Sequence, residues 1–175
     1  MDINITVASV KDCENVKRFY DLVVENLHRE SSSVKWDRSV YPDDPYIEDS
    51  IAKSELYIAE YDKKVVAAMV VNPHCNEGYF KVEWPTRVKP DEIMSLHTLA
   101  VHPDYKKQGI AKRMVEKSIE VTKKAGKKVI QLDVIAGNDA ALKLYASAGF
   151  TNAGKLNLFY ESVGNCSFDL FEYKI

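Results

Sequence analysis

Apolar and polar residues alternate from Asn4 to Ala8, the two-residue period of a strand with one buried face. Asp12 can then cap a helix, and Val16, Phe19, Tyr20, Val23 and Leu27 recur at helical spacing, which predicts a helix to about Leu27. His28 to Pro45 is polar, with a Ser31-Ser32-Ser33 run and Pro42, and reads as a loop with one short helical turn. Loops of that length in a compact domain are often binding segments or lids. Pro45–Ser54 reads as a second helix, and Leu56–Tyr61 and Val65–Val71 as an antiparallel hairpin around Asp62-Lys63-Lys64. Asn72 to Asp91 is irregular, broken by Pro73, Gly78, Pro85 and Pro90. Ile93–Val101 is the next strand. The helix opening near Gly109 sets Ile110, Met114, Val115, Ile119 and Thr122 along one side, and Gly126 is its stop. Val129–Val134 is a buried strand by composition. Asn138 can cap a helix through about Ala148, which Gly149 ends, and Thr151–Tyr160 and Asn165–Tyr173 are two final strands.

Hairpins therefore flank a central β-α-β-α, which predicts an α/β chain with a mixed sheet and helices on both faces. At 175 residues it fits one domain, 1–175, with a real core, and no repeat or linker divides it. Hydrophobic residues at 46%, charged residues at 29% and a net charge of -2 give an ordinary soluble composition. Nothing in that balance argues for a nucleic-acid partner or an anionic membrane. The N-terminus lacks the basic start and apolar run of a signal peptide, and no stretch is apolar enough to span a bilayer. Cys13, Cys75 and Cys166 are odd in number and far apart, against a disulfide framework or a thiolate zinc site. The expectation is a cytoplasmic protein with no metal.

The most telling stretch joins the strand ending at Val101 to the helix after Gly109 through Lys106-Lys107-Gln108-Gly109-Ile110-Ala111. Such a junction aims several backbone N–H groups at one spot, at the positive end of a helix dipole, and suits a diphosphate. Gly109 lets the backbone approach a ligand, Ala111 is small, and Lys106 and Lys107 add charge. A basic turn before an ordinary helix would have the same glycine spacing. The stretch is not a P-loop, and one glycine makes a poor dinucleotide fingerprint.

The run Leu-Ala-Val-His-Pro-Asp-Tyr, followed by Lys106-x-x-Gly109-x-Ala111, resembles the signature of the GNAT acetyltransferase superfamily, Arg/Gln-x-x-Gly-x-Gly/Ala after a strand ending Leu-x-Val-x-Pro. Asn138, Ala141, Leu144-Tyr145 and Gly149-Phe150 match a second block of the same family. The departure is Lys106, which keeps the charge but not the planar fork of arginine.

The resemblance implies a GNAT fold and acetyl-CoA as co-substrate, bound in an opening between Ile93–Val101 and Val129–Val134. The pantetheine arm would pair along Leu99, Ala100 and Val101. The pyrophosphate would sit on the amides of Lys107, Gln108, Gly109, Ile110, Ala111 and Lys112, with Lys106 and Asn138 as further contacts. The implied reaction is direct attack of a primary amine on the thioester. The amine must lose its proton, and the carbonyl oxygen needs a donor, for which the family's usual source is the Leu99 N–H. The departing thiolate needs a proton or hydrogen bond, for which the matching residue is Tyr145.

His97 is the candidate base, because imidazole titrates near neutrality. Leu96 to His102 is similar to the strand of the arylalkylamine branch where a histidine relays the proton, although Ser95 stands where that branch has its partner histidine. Otherwise His97 is a hydrogen-bonded histidine on a sheet face and Tyr145 a core aromatic. His102, before Pro103, reads as structural. Asp37, Asp43, Asp44, Glu48 and Glu83 could bind or deprotonate an amine, and Trp36, Tyr41, Tyr46, Tyr79 and Trp84 could line its pocket. The acceptor is a small-molecule or peptide amine that the sequence does not choose. A homodimer through the final strands rests on fold analogy alone. The alternative is a non-catalytic acyl-CoA-binding sensor on the same fold.

Overall fold

The structure, a computed structural model, describes residues 3–175. Its strands are β1 (Asn4–Val7), β2 (Leu56–Tyr61), β3 (Lys64–Asn72), β4 (Ile93–Val101), β5 (Val129–Ile135), β6 (Thr151–Tyr160) and β7 (Gly164–Lys174). Its α-helices are α1 (Cys13–Arg29), α2 (Asp44–Ala52), α3 (Ile110–Lys124) and α4 (Asp139–Ser147). The strands form one seven-stranded sheet in the order β1-β2-β3-β4-β5-β7-β6. Neighbouring strands are antiparallel except β4 and β5. This is the expected mixed sheet, with its parallel step where the β-α-β pattern required a crossover helix.

Each face carries its own core. On one face α3 contributes Ile110, Met114 and Val115, and α4 contributes Tyr145, against Met69, Leu96, Ile130, Leu132 and Phe171. On the other, Val16, Phe19, Tyr20 and Val23 of α1 and Ile47 and Ile51 of α2 cover Leu56, Ile58, Ala68 and Val70. Each such large apolar side chain contributes roughly 1.5–3 kcal/mol on leaving water. The far strands β7 and β6 are covered by the irregular segment instead, through Tyr79 on Leu158, Phe168 and Leu170. That segment lies so close that a Cβ on Gly78 would meet Leu158 at 2.4 Å.

The loop before α2 differs from expectation. The helical turn foreseen there is a tight turn closed by a bridge between Asp37 and Tyr41. The Asp37 carboxylate accepts from the amide (2.8 Å) and the hydroxyl (2.7 Å) of Ser39, and this local pairing competes with helix.

Two irregularities shape the centre of the sheet. β4 and β5 pair only from Ile93↔Val129 to Ser95↔Gln131 and then part. β4 keeps its pairing with β3 as far as Ala67↔Val101, and β5 keeps its pairing with β7 as far as Ile135↔Phe168. The sheet is therefore whole on either side of a wedge. Within β4 the register against β3 slips between Ala68 and Val70, which face Ala100 and His97, so β4 carries one extra residue. Thr98, inside this bulge, has φ +50°. The slip reverses the facing of the strand. Met94 and Leu96 face the α3 side before it and Leu99 and Val101 after it, while Thr98 and Ala100 turn toward α1.

Candidate active site

His102 N–H donates to the Val66 carbonyl across to β3 at 2.9 Å. Successive amides of a strand point to opposite sides, so those of Val101 and Leu99 point away from β3 and into the wedge. Beyond Val101 the chain turns over Pro103–Tyr105, where His102 Nδ1 accepts from the Asp104 amide at 3.2 Å. His102 is thus structural, as its place before Pro103 suggested.

Gly109 then caps α3 in the left-handed region, φ +77°, with nothing within 4 Å of where a Cβ would stand. No side chain caps this helix, and its first turn has no acid. The amides of Lys107, Gln108, Gly109, Ile110, Ala111 and Lys112 have no acceptor among the described residues; the next, Arg113, bonds the Gly109 carbonyl. A run of unfilled donors at an open helix N-terminus fits a diphosphate. Lys106 is turned from it in this structure, with Nζ 2.9 Å from Glu30 at the end of α1.

The wedge widens into a cavity of roughly 160 Å³. β4 lines it with Leu96 to Leu99, β5 with Asp133 to Ile135, and α4 with Asn138, Ala141 and Tyr145. Val34, Lys35, Trp36 and Tyr41 of the loop before α2 and Tyr160, Ser162, Val163 and Phe168 of the last hairpin complete the wall. Asn138 caps α4, its Oδ1 accepting from the Ala141 amide at 3.2 Å, which leaves its NH₂ free. Tyr145 is buried, and its hydroxyl has no hydrogen-bond partner among the described residues. Burial pushes its pKa up, so at neutral pH it is a phenol able to donate. His97 Nε2 lies 2.9 Å from the His74 carbonyl, so Nε2 carries the proton and Nδ1 the lone pair. Burial pushes its pKa down to about 4. The imidazole is neutral near pH 7 and a weak base.

The sequence reading missed Asp133. It stands on the parted half of β5, and its Oδ2 accepts from the hydroxyls of Tyr79 (2.6 Å) and Tyr160. No Lys or Arg pairs with it among the described residues. Its Oδ1 takes no hydrogen bond and is not sealed from the cavity. Burial raises its pKa, and the two phenols hold the charged form against that rise. The signal was one acid inside Val-Ile-Gln-Leu-Asp-Val, an apolar strand.

The other acids are engaged elsewhere. Asp37 holds its own turn, Asp43 caps α2 through the Tyr46 amide at 2.9 Å, Asp44 pairs with Arg38, and Glu48 with Lys17 at 2.7 Å. They and Glu83 lie outside the cavity lining. Of the aromatics, Trp36 and Tyr41 reach the cavity, and Tyr46 packs on Tyr41 with ring centres 4.9 Å apart. Tyr79 holds Asp133, and Trp84 braces Tyr79 by donating Nε1–H to its carbonyl at 3.0 Å.

The site therefore combines a wedge between parallel strands, a turn of unfilled amides and a half-buried carboxylate. The family model of the acetyltransferase (GNAT) family matches residues 22–150, and the chain belongs to that family. It is 41% identical over 68 residues to the [ribosomal protein bS18]-alanine N-acetyltransferase of Escherichia coli K12, over 39% of this chain and 45% of that protein. The chain spans about half or less of the length of such curated relatives. Among solved structures, a GNAT-family acetyltransferase of Streptococcus agalactiae has TM-score 0.82 at 14% identity, over 99% of this chain and 95% of that one. The Salmonella typhimurium protein yncA, solved with its cofactor acetyl-CoA, has TM-score 0.69 at 17% identity, over 99% and 94%. These likenesses carry the fold. No helix among the described residues is long and apolar enough to cross a membrane.

Proposed function

We propose that the protein transfers the acetyl group of acetyl-CoA to a primary amine that enters beside Trp36 and Tyr41. The observation that carries this reading is Asp133, a half-buried carboxylate with no paired cation among the described residues, on the parted half of β5 beside the wedge. Acetyl-CoA supplies the acyl group as a thioester. The amides of Lys107 to Lys112 hold its diphosphate, the edge of Leu99, Ala100 and Val101 takes its pantetheine arm, and the NH₂ of Asn138 faces its path.

The acceptor arrives as an ammonium, which has no lone pair to attack with. Asp133 Oδ1 attracts it by charge and takes a proton, and the Tyr79 and Tyr160 hydroxyls steady the carboxylate in the orientation needed. A carboxylate with a raised pKa is a better proton acceptor than an ordinary one. His97, neutral with a pKa of about 4, sits beside this path and offers Nδ1 as a hydrogen-bond acceptor. The Leu99 N–H points where negative charge develops on the carbonyl oxygen, and such a donor contributes about 10²–10³ in rate. The Tyr145 hydroxyl donates to the departing sulfur.

The bS18-alanine specificity of the E. coli relative makes an N-terminal peptide amine the first acceptor to try. The test is release of free thiol from acetyl-CoA with a panel of small primary amines and N-terminal peptides. Release that depends on one amine class is expected. Tight acetyl-CoA binding with no release for any amine would mean a sensor and would overturn the proposal.

A further inference from the structure

The wedge depends on a conformation that a threonine disfavours. Thr98 sits at φ +50°, a left-handed value for which a β-branched residue is a genuine outlier. Such strain persists only where the surroundings over-determine it. Here one side chain supplies two of the holding contacts. Tyr20 of α1, fully buried, places its hydroxyl 3.0 Å from the Thr98 carbonyl and 3.2 Å from Thr98 Oγ1. One phenol proton cannot serve both, so the Tyr20 O–H donates to the carbonyl and the Thr98 hydroxyl donates back to Tyr20. Burial holds the Tyr20 proton in place well above neutral pH. The peptide unit whose carbonyl Tyr20 grips is also the one that bears the Leu99 N–H. Fixing that oxygen toward α1 aims the N–H the other way, into the wedge, because the two groups of a planar trans peptide point oppositely.

We propose that Tyr20 is a positioning residue for acyl transfer, orienting the Thr98–Leu99 peptide so that its N–H meets the thioester oxygen. The proposal rests on the acyl-transfer reading for its kinetic consequence but not for its geometry. The Tyr20 ring also meets Trp36 edge-on, with centres 6.3 Å apart, so the same residue joins the acceptor wall to the oxyanion donor.

The test is Tyr20→Phe, which keeps the ring and removes the hydroxyl, with Tyr20→Phe/Thr98→Gly beside it. Glycine adopts positive φ without strain, so the double variant needs no clamp and also shows whether loss of fold explains the single one. Expected for Tyr20→Phe is a fall in kcat of about ten- to a hundredfold, somewhat less than deletion of an oxyanion donor. The KM for acetyl-CoA should stay within about threefold, since the phosphate turn is untouched, and the double variant should regain most of the loss. In ¹⁵N-labelled protein the Leu99 amide should shift downfield with acetyl-CoA, and Tyr20→Phe should abolish that shift while retaining acetyl-CoA binding. An unchanged kcat in folded Tyr20→Phe, or a Leu99 shift that survives it, overturns the proposal. Wild-type protein that turns over no amine counts against acyl transfer instead, and the Leu99 shift then still decides the role of Tyr20.

Discussion

The two ends of the wedge are built on opposite plans. The proposed cofactor end is one continuous stretch, Leu99 to Lys112, and offers main-chain amides that any side chain would carry. The proposed acceptor end is assembled from the loop before α2, the segment after β3, β5 and the last hairpin, and offers the side chains of Asp133, Tyr79, Tyr160, Trp36 and Tyr41. The first is open, and its turn holds Lys107 at φ +62° and Gly109 at φ +77°, both in the left-handed region. The second is half-buried around a buried Tyr79 and holds a charge that desolvation disfavours. Chemistry common to a family can rest on backbone geometry, whereas proton transfer and acceptor choice need particular groups in a dry site. Substitutions at the acceptor end should therefore strike kcat, and those at the cofactor end the KM for acetyl-CoA, by less.

The largest effect belongs to Asp133→Asn. It keeps the shape and the two phenol contacts and removes the proton acceptor. A loss in kcat of about 10²–10⁴ is expected, the usual worth of a positioned base, with acetyl-CoA affinity by calorimetry unchanged. The wild-type pH–rate profile should have an acidic limb above the ordinary carboxylate range, because the folded pKa is raised. The limb should be absent in the variant. The sign for stability is the reverse of the common salt-bridged case. The folded state binds this proton more tightly than the unfolded chain, so the stability contribution is full in acid and is lost as pH rises through the folded pKa. At neutral pH the asparagine variant should melt at the same temperature or higher. A protein that melts lower and still turns over would place the base elsewhere.

Tyr145→Phe comes next. The ring packs between Phe150 and Phe171, with centres 5.4 and 6.1 Å away, so the fold should hold. Loss of its free hydroxyl should lower kcat about ten- to a hundredfold while acetyl-CoA still binds. The comparison sharpens if an acetyl thioester with a better leaving group restores the rate, since that bypasses a donor to sulfur.

What could be read from the sequence follows the same division. Strand, basic turn and helix are contiguous, so the junction with its unfilled amides could be picked out from the sequence and matched to the family signature, and hydrophobic pattern and composition located every strand of the sheet. Asp133 was hidden because its partners lie far away in the chain, at Tyr79 and Tyr160, and because one acid does not change the apolar character of β5. The bulge left no mark either: nothing in Leu-His-Thr-Leu says that Thr98 will take φ +50°, since the clamp comes from Tyr20 in another element. The acids that drew attention, Asp37, Asp43, Asp44 and Glu48, are conspicuous because they lie in polar segments, where acids cap turns and pair with Lys17 and Arg38. Composition finds exposed charge more readily than the buried charge that does chemistry.

At the cofactor end Gly109→Ala probes the backbone cradle. Nothing obstructs a Cβ there, so the change acts only through φ +77°, at about 1–2 kcal/mol for an L residue in the left-handed region. If the turn relaxes to avoid that cost, its amides diverge. The KM for acetyl-CoA should then rise about five- to thirtyfold with kcat nearly constant. A fall in kcat at unchanged KM would mean that the two ends are not separable in the way their construction implies.

The smallest effect is expected from Lys106, a charged side chain beside the cradle. Lys106 is bound to Glu30 at 2.9 Å, and both groups are about half exposed, so the pair is weak and screened. The ammonium holds the Glu30 carboxyl below its usual pKa, so near neutrality the pair is fully charged and Glu30 competes with an incoming diphosphate for Lys106. Two substitutions should then move affinity in opposite directions. Lys106→Gln removes attraction and should raise the KM for acetyl-CoA about two- to threefold; Glu30→Gln frees the lysine and should lower it by a similar factor. Both effects should vanish in about 0.5 M salt, where the screening length is only a few ångströms. If Lys106→Gln instead costs as much as Gly109→Ala, the cradle depends on side-chain charge as well as on amides, and the contrast between the two ends of the wedge narrows to that extent.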